Sequence, residues 1–465
     1  MNIGLIGLAV MGQNLVLNME SRGYSVAVYN RTSSKTEEFM KNRATGKRIK
    51  PAFSVEELVN MLDKPRKVMI MVKAGKPVDD NIKELLKYLE KGDIIIDGGN
   101  SHFTDTDRRI EDIEKRGILY LGTGVSGGEE GALKGPCIMP GGNEQAWEEV
   151  KNIFLDISAR VDGIPCCAYT GSGSSGHFVK MVHNGIEYGD MQLIAEAYDF
   201  LRHGLMLGLE EIREIFLKWK ESELNSYLID ITTDILGVKD EETGKPMVDI
   251  ILDKAGQKGT GKWTSQAALD LGVPVSVIDT AVMGRNISSF KSERIKASQF
   301  LKGPSEPFRG DRHKMIEAVY DSLLCSKITS YAQGMTMLSA ASKEYNYNLK
   351  LHEIAQIWKG GCIIRSTLLE PIKLAFLKNP SLENLYMDEY FNRILNEKHH
   401  NWRWRVAETV MCGIPCPGTA ASLEYYDSYR SERLPANLLQ AQRDYFGAHT
   451  FERTDREGTF HHQWM

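Results

Sequence analysis

The 465-residue sequence lacks several features that would each define a class of protein. It has no run of about 18 apolar residues, so no membrane-spanning helix is expected, and its first residues show neither the basic region nor the cleavage site of a secretory signal. Seven cysteines without paired CxxC spacing predict neither a disulfide framework nor a metal site. A net charge of −5 with interspersed signs does not favour nucleic-acid binding. We therefore expect a soluble, reduced, cytoplasmic protein of two or three domains.

The beginning of the chain predicts a dinucleotide-binding turn. An apolar strand at residues 2–6 is followed by the pattern Gly7-x-Ala9-x-x-Gly12, a helical segment and a second strand. Gly7 would tighten the turn, Ala9 would let backbone N–H groups approach a pyrophosphate, and Gly12 would let helix and strand pack closely. The alternative is a tight turn without a ligand.

The residues after the second strand discriminate between cofactors. An NAD site normally has Asp or Glu there to bind the ribose hydroxyls, whereas this chain has Asn30-Arg31-Thr32. An arginine at this place could bind a 2′-phosphate, and Asn30 and Thr32 add neutral donors. The sequence therefore predicts NADP as the cofactor.

Further apolar segments predict the rest of an α/β domain with a parallel, doubly wound sheet. These segments are 67–72, 93–100 and 117–128, and they alternate with helical segments at 79–90 and 105–116. Ligands of such sheets bind at the carboxyl ends of the strands, where Val72-Lys73-Ala74, Asn100 and Ser126 lie. For Asn100 and Ser126 alone, ordinary turn chemistry is the alternative.

An unusual polar stripe occurs in "KMVHNGIEYGD" (residues 180–190). Lys180, His183, Asn184 and Glu187 are spaced so that they share one face of a helix. A solvated face is the ordinary interpretation of such a stripe, but solvated faces are usually rich in Lys and Glu, and this one combines four different groups. Two of them can transfer protons.

The remainder of the chain has mainly helical periodicity. Helices are predicted at 186–207, 209–220, 311–342 and 351–359, and residues 177–205 could form one long helix. We predict a Rossmann-type domain at 1–176, an all-helical domain at 177–433 and a C-terminal tail at 434–465. The tail is too polar to form a core but holds many aromatic residues, so we expect it to dock on another subunit.

Several long motifs in the same order resemble the decarboxylating 6-phosphogluconate dehydrogenases. They are the glycine turn, "NRT", "IIDGGNS", "VSGGEEGALKGPCIMPGG" (125–142), the stripe at 180–190, "KGTGKWTSQAALDLGVPV" (258–275) and "RDYFGAHTFER" (443–453). The resemblance extends over essentially the whole chain. It implies oxidative decarboxylation of 6-phosphogluconate to ribulose 5-phosphate and CO2 with NADP and without a metal, a step of the pentose phosphate pathway and of gluconate utilisation.

The resemblance also implies roles for individual residues. Lys180 would be the general base and Glu187 the general acid. The substrate would be bound by Asn100, Ser126, Gly127, Gly128, His183, Asn184, Tyr188, Lys258, Thr260 and Arg285, and by Arg443 and His449 from the tail of the partner in a homodimer. NADP would be bound by Gly7, Leu8, Ala9, Val10, Met11, Gly12, Gln13, Asn30, Arg31, Thr32, Val72, Lys73, Ala74 and Asn100.

The chemistry requires such groups. Oxidation of a secondary alcohol needs a base, and a lysine can serve only when neutral, so its pKa must fall from about 10.4. Two alternative functions remain at this stage: a β-hydroxyacid dehydrogenase acting on a smaller substrate, and a non-catalytic NADP-binding sensor. The first should lack the "KGTGKWT" loop and the basic tail, and the second should not need Lys180 together with Glu187. For the tail, the alternative is that it folds back on its own chain.

Overall fold

The computed structural model describes residues 1–304 and 306–464. Its N-terminal part is built on a seven-stranded sheet with the order β3-β2-β1-β4-β5-β6-β7. The strands are β1 (Ile3–Ile6), β2 (Val26–Tyr29), β3 (Ile49–Ala52), β4 (Lys67–Ile70), β5 (Ile94–Asp97), β6 (Leu119–Ser126) and β7 (Cys137–Gly142). Neighbouring strands from β3 to β6 are parallel, whereas β7 is antiparallel to β6.

Helices cover both faces of this sheet. They are α1 (Val10–Ser21), α2 (Ser33–Arg43), α3 (Val55–Asn60), α4 (Lys76–Leu85), α5 (Phe103–Glu114), α6 (Gly128–Lys134) and α7 (Glu144–Ile157). Because successive strand residues point to opposite faces, Ile94 and Ile96 belong to the core with α1, α2 and α7, and Ile95 belongs to the core with α3, α4 and α5. This alternation is that of a doubly wound sheet, and it confirms the predicted Rossmann-type fold class.

The two edge strands differ from the sequence prediction. β3 and β7 were not predicted, and β7 makes the sheet mixed rather than wholly parallel. Both strands contain a proline, Pro51 in β3 and Pro140 in β7. An edge strand tolerates proline because one side needs no ladder donor, so their composition resembles that of a loop.

The long helix α8 (Ser175–Asp199) joins the sheet to the helical part of the chain. It follows a short hairpin of β8 (Arg160–Val161) and β9 (Ile164–Pro165), and it continues into one π-helical turn at Phe200–Gly204. This agrees with the prediction of a single long helix over residues 177–205. The first turns of α8 pack against β6 and β7, and later turns pack inside the helical bundle.

The rest of the described chain up to residue 430 is helical, as predicted. Its helices are α9 (Leu209–Trp219), α10 (Tyr227–Gly237), α11 (Met247–Ile250), α12 (Thr260–Asp270), α13 (Ser276–Ser289), α14 (Lys291–Phe300), α15 (Arg312–Glu344), α16 (Leu351–Ile357), α17 (Leu369–Lys378), α18 (Glu389–Met411) and α19 (Pro417–Arg430), with a 3-10 turn at Leu385–Met387. The central helices α8 and α15 pack directly against each other in one large apolar core.

The last described residues form one helix and one hairpin. Helix α20 (Ala436–Gly447) packs against a small antiparallel hairpin of β10 (Phe451–Glu452) and β11 (Thr459–Phe460). The domain boundaries at residues 176 and 433 stay predictions. In the described residues, no helix is both long and apolar enough to cross a membrane.

Candidate active site

The polar stripe of α8 is buried, not solvated. Lys180 is 5% exposed and His183 is fully buried, while Asn184 and Glu187 are partly buried. Asp190 continues the same side of the helix one turn later and is also buried. Burying so many hydrogen-bonding groups is costly unless they have partners, so this surface of α8 must meet a polar environment.

Glycines allow α8 to approach the sheet closely enough to bury the stripe. A methyl group on Gly176 would overlap the carbonyl oxygen of Gly122, and a Cβ on Gly124 would lie 2.5 Å from the Cβ of Lys180. The helix therefore lies directly on the glycine-rich end of β6. This contact places Lys180 beside Ser126, the last residue of β6.

Lys180 is the centre of a hydrogen-bonded cluster. Its Nζ donates to Ser126 Oγ at 3.1 Å and to Asn184 Oδ1 at 2.7 Å, and it lies 3.2 Å from His183 Nδ1. The other ring nitrogen of His183 is 3.4 Å from Ser126 Oγ. The cluster thus joins a strand end to three groups on one helix face.

The electrostatics of the cluster shift three titratable groups. Burial lowers the pKa of Lys180, and the carboxylate of Glu187 opposes this shift. Burial, together with the charge of Lys180, lowers the pKa of His183 well below its usual value. Burial raises the pKa of Glu187, against the opposing effect of Lys180 and Arg285. The environment thus favours a neutral lysine and a protonated glutamic acid, which are the forms that a base and an acid need.

Two helices of the bundle close the other side of this cluster. Asn184 Nδ2 donates to Thr260 Oγ1 at 3.1 Å, at the first turn of α12. The guanidinium of Arg285 on α13 stacks over the ring of Tyr188, with Cζ 3.4 Å from the ring centroid. A methyl group on Gly261 of α12 would overlap the same ring. Tyr188 is therefore held between α12 and α13, and Arg285 is preorganised beside the stripe.

The strand ends of β5 and β6 form the sheet side of the site. Asn100 adopts a left-handed backbone conformation (φ 52°), which asparagine tolerates better than most residues. Its amide accepts from Val125 N at 3.1 Å and donates to Val125 O at 3.3 Å. Gly127 and Gly128 follow Ser126 with φ of 120° and 61°, which requires glycine most strictly at Gly127. Asn100 and Ser126 thus lie at adjacent strand ends, as predicted.

The turn after β1 has the geometry of a pyrophosphate cradle. Gly7 has φ 106°, and a Cβ there or on Gly12 would overlap the backbone of Met71 or of Gly7. Helix α1 begins after Ala9 without a side-chain cap, so no capping side chain occupies its first N–H groups, and Val10 beside them is exposed. The structure therefore fits a bound dinucleotide phosphate at this helix N-terminus.

The other predicted cofactor residues surround the same turn. Leu8 N donates to Asn30 Oδ1 at 3.1 Å, and Gln13 Nε2 donates to Leu8 O at 3.0 Å. Thus Asn30 and Gln13 stabilise the turn itself. Arg31 and Thr32 are exposed just before α2, and Met11 is half-buried. Val72, Lys73 and Ala74 follow β4, next to β1 in the sheet, and only Lys73 among them is fully exposed.

Three predicted substrate residues lie apart from the cluster within this chain. Lys258 is exposed on the loop before α12. Arg443 and His449 are exposed in the tail, where Arg443 Nη1 donates to Gln440 Oε1 at 3.0 Å and His449 packs edge-on against Phe446. These contacts of Arg443 and His449 are with other residues of the tail and not with the cluster around Lys180.

Two residues that shape the site, Trp358 and Arg109, were not predicted from the sequence. The ring of Trp358 packs edge-on against His183, with centroids 5.7 Å apart, and it is fully buried. Arg109 is 2% exposed and contacts the loops after β4 and β5. An arginine on the apolar face of α5, between Thr106 and Ile113, was the available signal for the second. Among the described residues, no cluster of three or more His, Cys, Asp or Glu side chains could hold a metal ion.

Comparison with known families accounts for nearly the whole chain. Residues 2–171 match the model of the NAD binding domain of 6-phosphogluconate dehydrogenase, and residues 176–464 match that of the 6-phosphogluconate dehydrogenase C-terminal domain. A relative in Bacillus subtilis, a 6-phosphogluconate dehydrogenase described as NADP(+)-dependent and decarboxylating, is 58% identical over 464 residues, which span 100% of this chain and 99% of the relative. A decarboxylating 6-phosphogluconate dehydrogenase of Synechococcus elongatus is 56% identical, with 99% of each chain covered.

A solved structure agrees with these sequence comparisons. It is the 6-phosphogluconate dehydrogenase of Plasmodium falciparum, studied in its apo form, in complex with its cofactor NADP+ and in complex with its substrate 6-phosphogluconate. The two chains are 49% identical, the TM-score is 0.96, and the match covers 99% of this chain and 100% of the other.

Proposed function

This chain belongs to the 6-phosphogluconate dehydrogenase family, and from that premise we propose that it oxidises and decarboxylates 6-phospho-D-gluconate to D-ribulose 5-phosphate and CO2 with NADP. It would serve in the pentose phosphate pathway and in gluconate utilisation. One observation supports the chemistry most directly: a buried lysine with a lowered pKa lies on the same helix face as a partly buried glutamic acid with a raised pKa. A non-catalytic sensor would need neither.

The cofactor residues fit NADP. The uncapped start of α1 and the close approach of Gly7 and Gly12 leave room for the pyrophosphate, and Arg31 with Thr32 would hold the 2′-phosphate. The rest of the cofactor set would be Leu8, Ala9, Val10, Met11, Gln13, Asn30, Val72, Lys73, Ala74 and Asn100. NADP, when bound, accepts the hydride of the substrate alcohol.

Lys180 would begin the reaction as a base. Its neutral amine takes the hydroxyl proton while the hydride leaves the carbon, and burial favours this neutral form. Ser126 Oγ and Asn184 Oδ1 fix the amine at one point of the site. The oxidation yields a β-keto acid, and LysH⁺ then lies at the keto oxygen, where it can return the proton as CO2 leaves.

Glu187 would complete the reaction as an acid. Loss of CO2 leaves an enediol, which must be protonated at the carbon that carried the carboxylate. This proton has to come from another direction than that of Lys180, and seven residues along a helix correspond to about 10 Å. The raised pKa of Glu187 keeps its proton available.

The remaining groups would bind the polyol, its carboxylate and its phosphate. Neutral donors and acceptors suit the hydroxyls, and cations suit the phosphate. The proposed set is Asn100, Ser126, Gly127, Gly128, His183, Asn184, Tyr188, Lys258, Thr260 and Arg285. Arg285 is supported by its position over Tyr188, which leaves its guanidinium beside the stripe.

The proposal includes a homodimer in which the tail of one chain completes the site of the other with Arg443 and His449. The tail exposes Leu438, Leu439, Tyr445 and Phe446, and the segment around Arg285 exposes Met283, Ile287, Phe290, Ile295, Phe300 and Leu301. Apolar surface of this extent is typical of an interface. A cytoplasmic location is proposed as well, since all seven cysteines are free thiols.

The activity is tested by following NADPH absorbance and CO2 release after addition of 6-phosphogluconate, with NAD as the comparison cofactor. Both products should appear with NADP in equal amounts. NADPH without CO2 would indicate a simple dehydrogenase and contradict the proposal.

The shared site is tested by mixing two inactive variants, Lys180→Met and Arg443→Ala. A tail that crosses to the partner leaves one intact site in each heterodimer, so activity should return toward half of the parental value per dimer. The control pair, Lys180→Met with Glu187→Gln, damages the body of both chains and should not recover. Verified heterodimers of the first pair without recovered activity would refute the crossed tail.

A further inference from the structure

Arg109 on α5 makes polar contacts on all sides although it is almost fully buried. Its Nε donates to Asp79 Oδ1 at 2.8 Å, and its Nη2 donates to Gly75 O at 3.1 Å. Its Nη1 donates to Ser101 Oγ at 2.9 Å and to Asp97 Oδ2 at 3.2 Å. The planar guanidinium carries its donors in a fixed fork, so these acceptors are held at fixed distances from one another.

Two of the acceptors, Gly75 O and Ser101 Oγ, lie in loops on the cofactor side and the substrate side of the proposed site, whereas Asp79 lies in α4 and Asp97 ends β5. Gly75 ends the loop that begins with Val72 and Lys73 after β4, on the cofactor side. Asp97 is the last residue of β5 and Ser101 lies in the loop after it, on the substrate side. They flank Asn100, which is proposed to contact both ligands. Arg109 is thus a bridge between the two loops.

A chain of contacts connects the loop after β5 to Lys180. Asp97 is fully buried, and it accepts from Gly99 N at 2.9 Å and from Ser101 Oγ at 2.7 Å, so it shapes the turn around Asn100. Asn100 in turn holds the backbone of Val125. The next residue is Ser126, the hydrogen-bond partner of Lys180.

We infer that Arg109 is a positioning residue, which sets the cofactor loop against the substrate loop and so aligns the hydride acceptor with the carbon whose hydroxyl group Lys180 deprotonates. The inference rests on the proposed function. Because Arg109 is 2% exposed, we do not place it against either ligand, and its effect passes through the loops. A misplacement of about 1 Å between reacting groups can lower a rate by roughly two orders of magnitude, so a loosened bridge has a measurable effect.

The test compares Arg109→Lys with the matched control Arg108→Lys. Lysine keeps the buried positive charge next to Asp97, but its single ammonium cannot reach both loops. Arg108 donates to the same Asp79 Oδ1 at 2.9 Å and is 51% exposed, and this contact lies away from both loops. The two substitutions therefore differ in the bridge between the loops.

The measurements are the thermal midpoint, the dissociation constant of NADPH from its fluorescence, and kcat and KM for NADP and 6-phosphogluconate. For Arg109→Lys we expect a cooperative transition, a KM raised for both ligands and a kcat/KM lowered roughly 10- to 100-fold. Arg108→Lys should stay within about twofold of the parent, as expected for an exposed pair.

Kinetic constants of Arg109→Lys within twofold of the parent, even with a lower thermal midpoint, would make Arg109 a purely structural ion partner and overturn the inference. If that variant does not fold, Ser101→Ala decides: it removes one bond to Arg109 and one to Asp97, and should raise the KM for 6-phosphogluconate several-fold more than that for NADP. Parental constants in Ser101→Ala would overturn the inference.

A parent that neither binds NADPH nor oxidises 6-phosphogluconate overturns the proposed function and this inference together, whereas an active parent with unaffected variants overturns this inference alone.

Discussion

Replacing Lys180 with methionine should separate the catalytic role of a buried lysine from its effect on stability. Lys180 is 5% exposed, and its Nζ is hydrogen-bonded to the neutral oxygens of Ser126 and Asn184. Methionine has a similar length and no charge to desolvate. The substitution leaves two acceptors without a donor, which costs about 1–3 kcal/mol each. This cost is offset by the several kcal/mol that burial of an ammonium costs in the parent.

We therefore expect the free energy of unfolding of Lys180→Met to lie within about 2 kcal/mol of the parental value at neutral pH. The rate should nevertheless fall by at least about 10²- to 10⁴-fold, because general base catalysis contributes that much. Decarboxylation of added 3-keto acid should be lost too, since the same lysine acts in both steps.

Lys327 is the matched control. It is also fully buried, but its Nζ lies 2.5 Å from Asp190 Oδ1. Lys327→Met would leave this carboxylate buried without its cation, at a cost of about 3–5 kcal/mol. The two lysines should thus behave oppositely: one substitution removes activity with little loss of stability, and the other removes stability first.

The pH dependence of stability and of activity tests the lowered pKa of Lys180 independently. Because burial lowers the pKa of Lys180 in the folded state, the unfolded chain binds the extra proton between that lowered pKa and the ordinary value of about 10.5. In this window the free energy of unfolding gains a contribution that rises with pH. Lys180→Met should lack this contribution, and kcat/KM of the parent should rise as pH passes the lowered pKa.

Urea or thermal unfolding at several pH values, together with NADPH absorbance, measures all of these quantities. A loss of more than about 4 kcal/mol in Lys180→Met would mean that the ammonium holds the fold together, as for a buried ion pair. Turnover within tenfold of the parent would mean that another group is the base. Either result would refute the reasoning from burial.

Three further substitutions test other parts of the site. Arg31→Ala should raise the KM for NADP about 10- to 150-fold, the value of one charge-assisted contact, and leave that for NAD nearly unchanged; equal effects on both would contradict the 2′-phosphate assignment. Glu187→Gln should slow the final protonation, so deuterium exchange from D2O into the product carbon should fall in parallel with kcat, and parental exchange would exclude Glu187 as the acid. Gly124→Ala should destabilise the protein by about 1–3 kcal/mol and lower kcat, because its Cβ would lie 2.5 Å from that of Lys180. Gly131→Ala, whose Cβ would meet its nearest neighbour at 3.8 Å, is its control, and equal losses in both would contradict the packing argument.

The parts of the structure that follow from local sequence could be predicted well. The turn at Gly7 and Gly12 is specified within a few residues, because backbone overlap excludes any side chain there. The stripe from Lys180 to Glu187 needs only helical spacing. Both patterns are complete within one turn or one helix, and the structure contains each of them.

Long-range packing could not be predicted from the same patterns. Helical spacing put Lys180 and His183 on one face, but burial of that face depends on glycines of β6 more than fifty residues earlier. Strand β7 was missed because its antiparallel pairing is set by β6, whereas its own sequence contains Pro140 and two glycines. Arg109 was missed for the same reason: its acceptors come from two separate segments, residues 75–79 and 97–101.

Some groups of the proposed site are fixed by contacts within this chain, and others are not. Lys180, the proposed base, is buried and already hydrogen-bonded, and His183 beside it is covered by Trp358, while Glu187 is partly buried. By contrast, Lys258, Arg443 and His449 are exposed cationic or polar groups on a loop and on the tail. Preorganisation matters most where charge moves during the reaction, and an exposed cation needs only to be within reach of the phosphate that binds it. Exposed cations outside the cluster are therefore compatible with the proposed site, because the substrate and a second chain would supply the contacts that fix them.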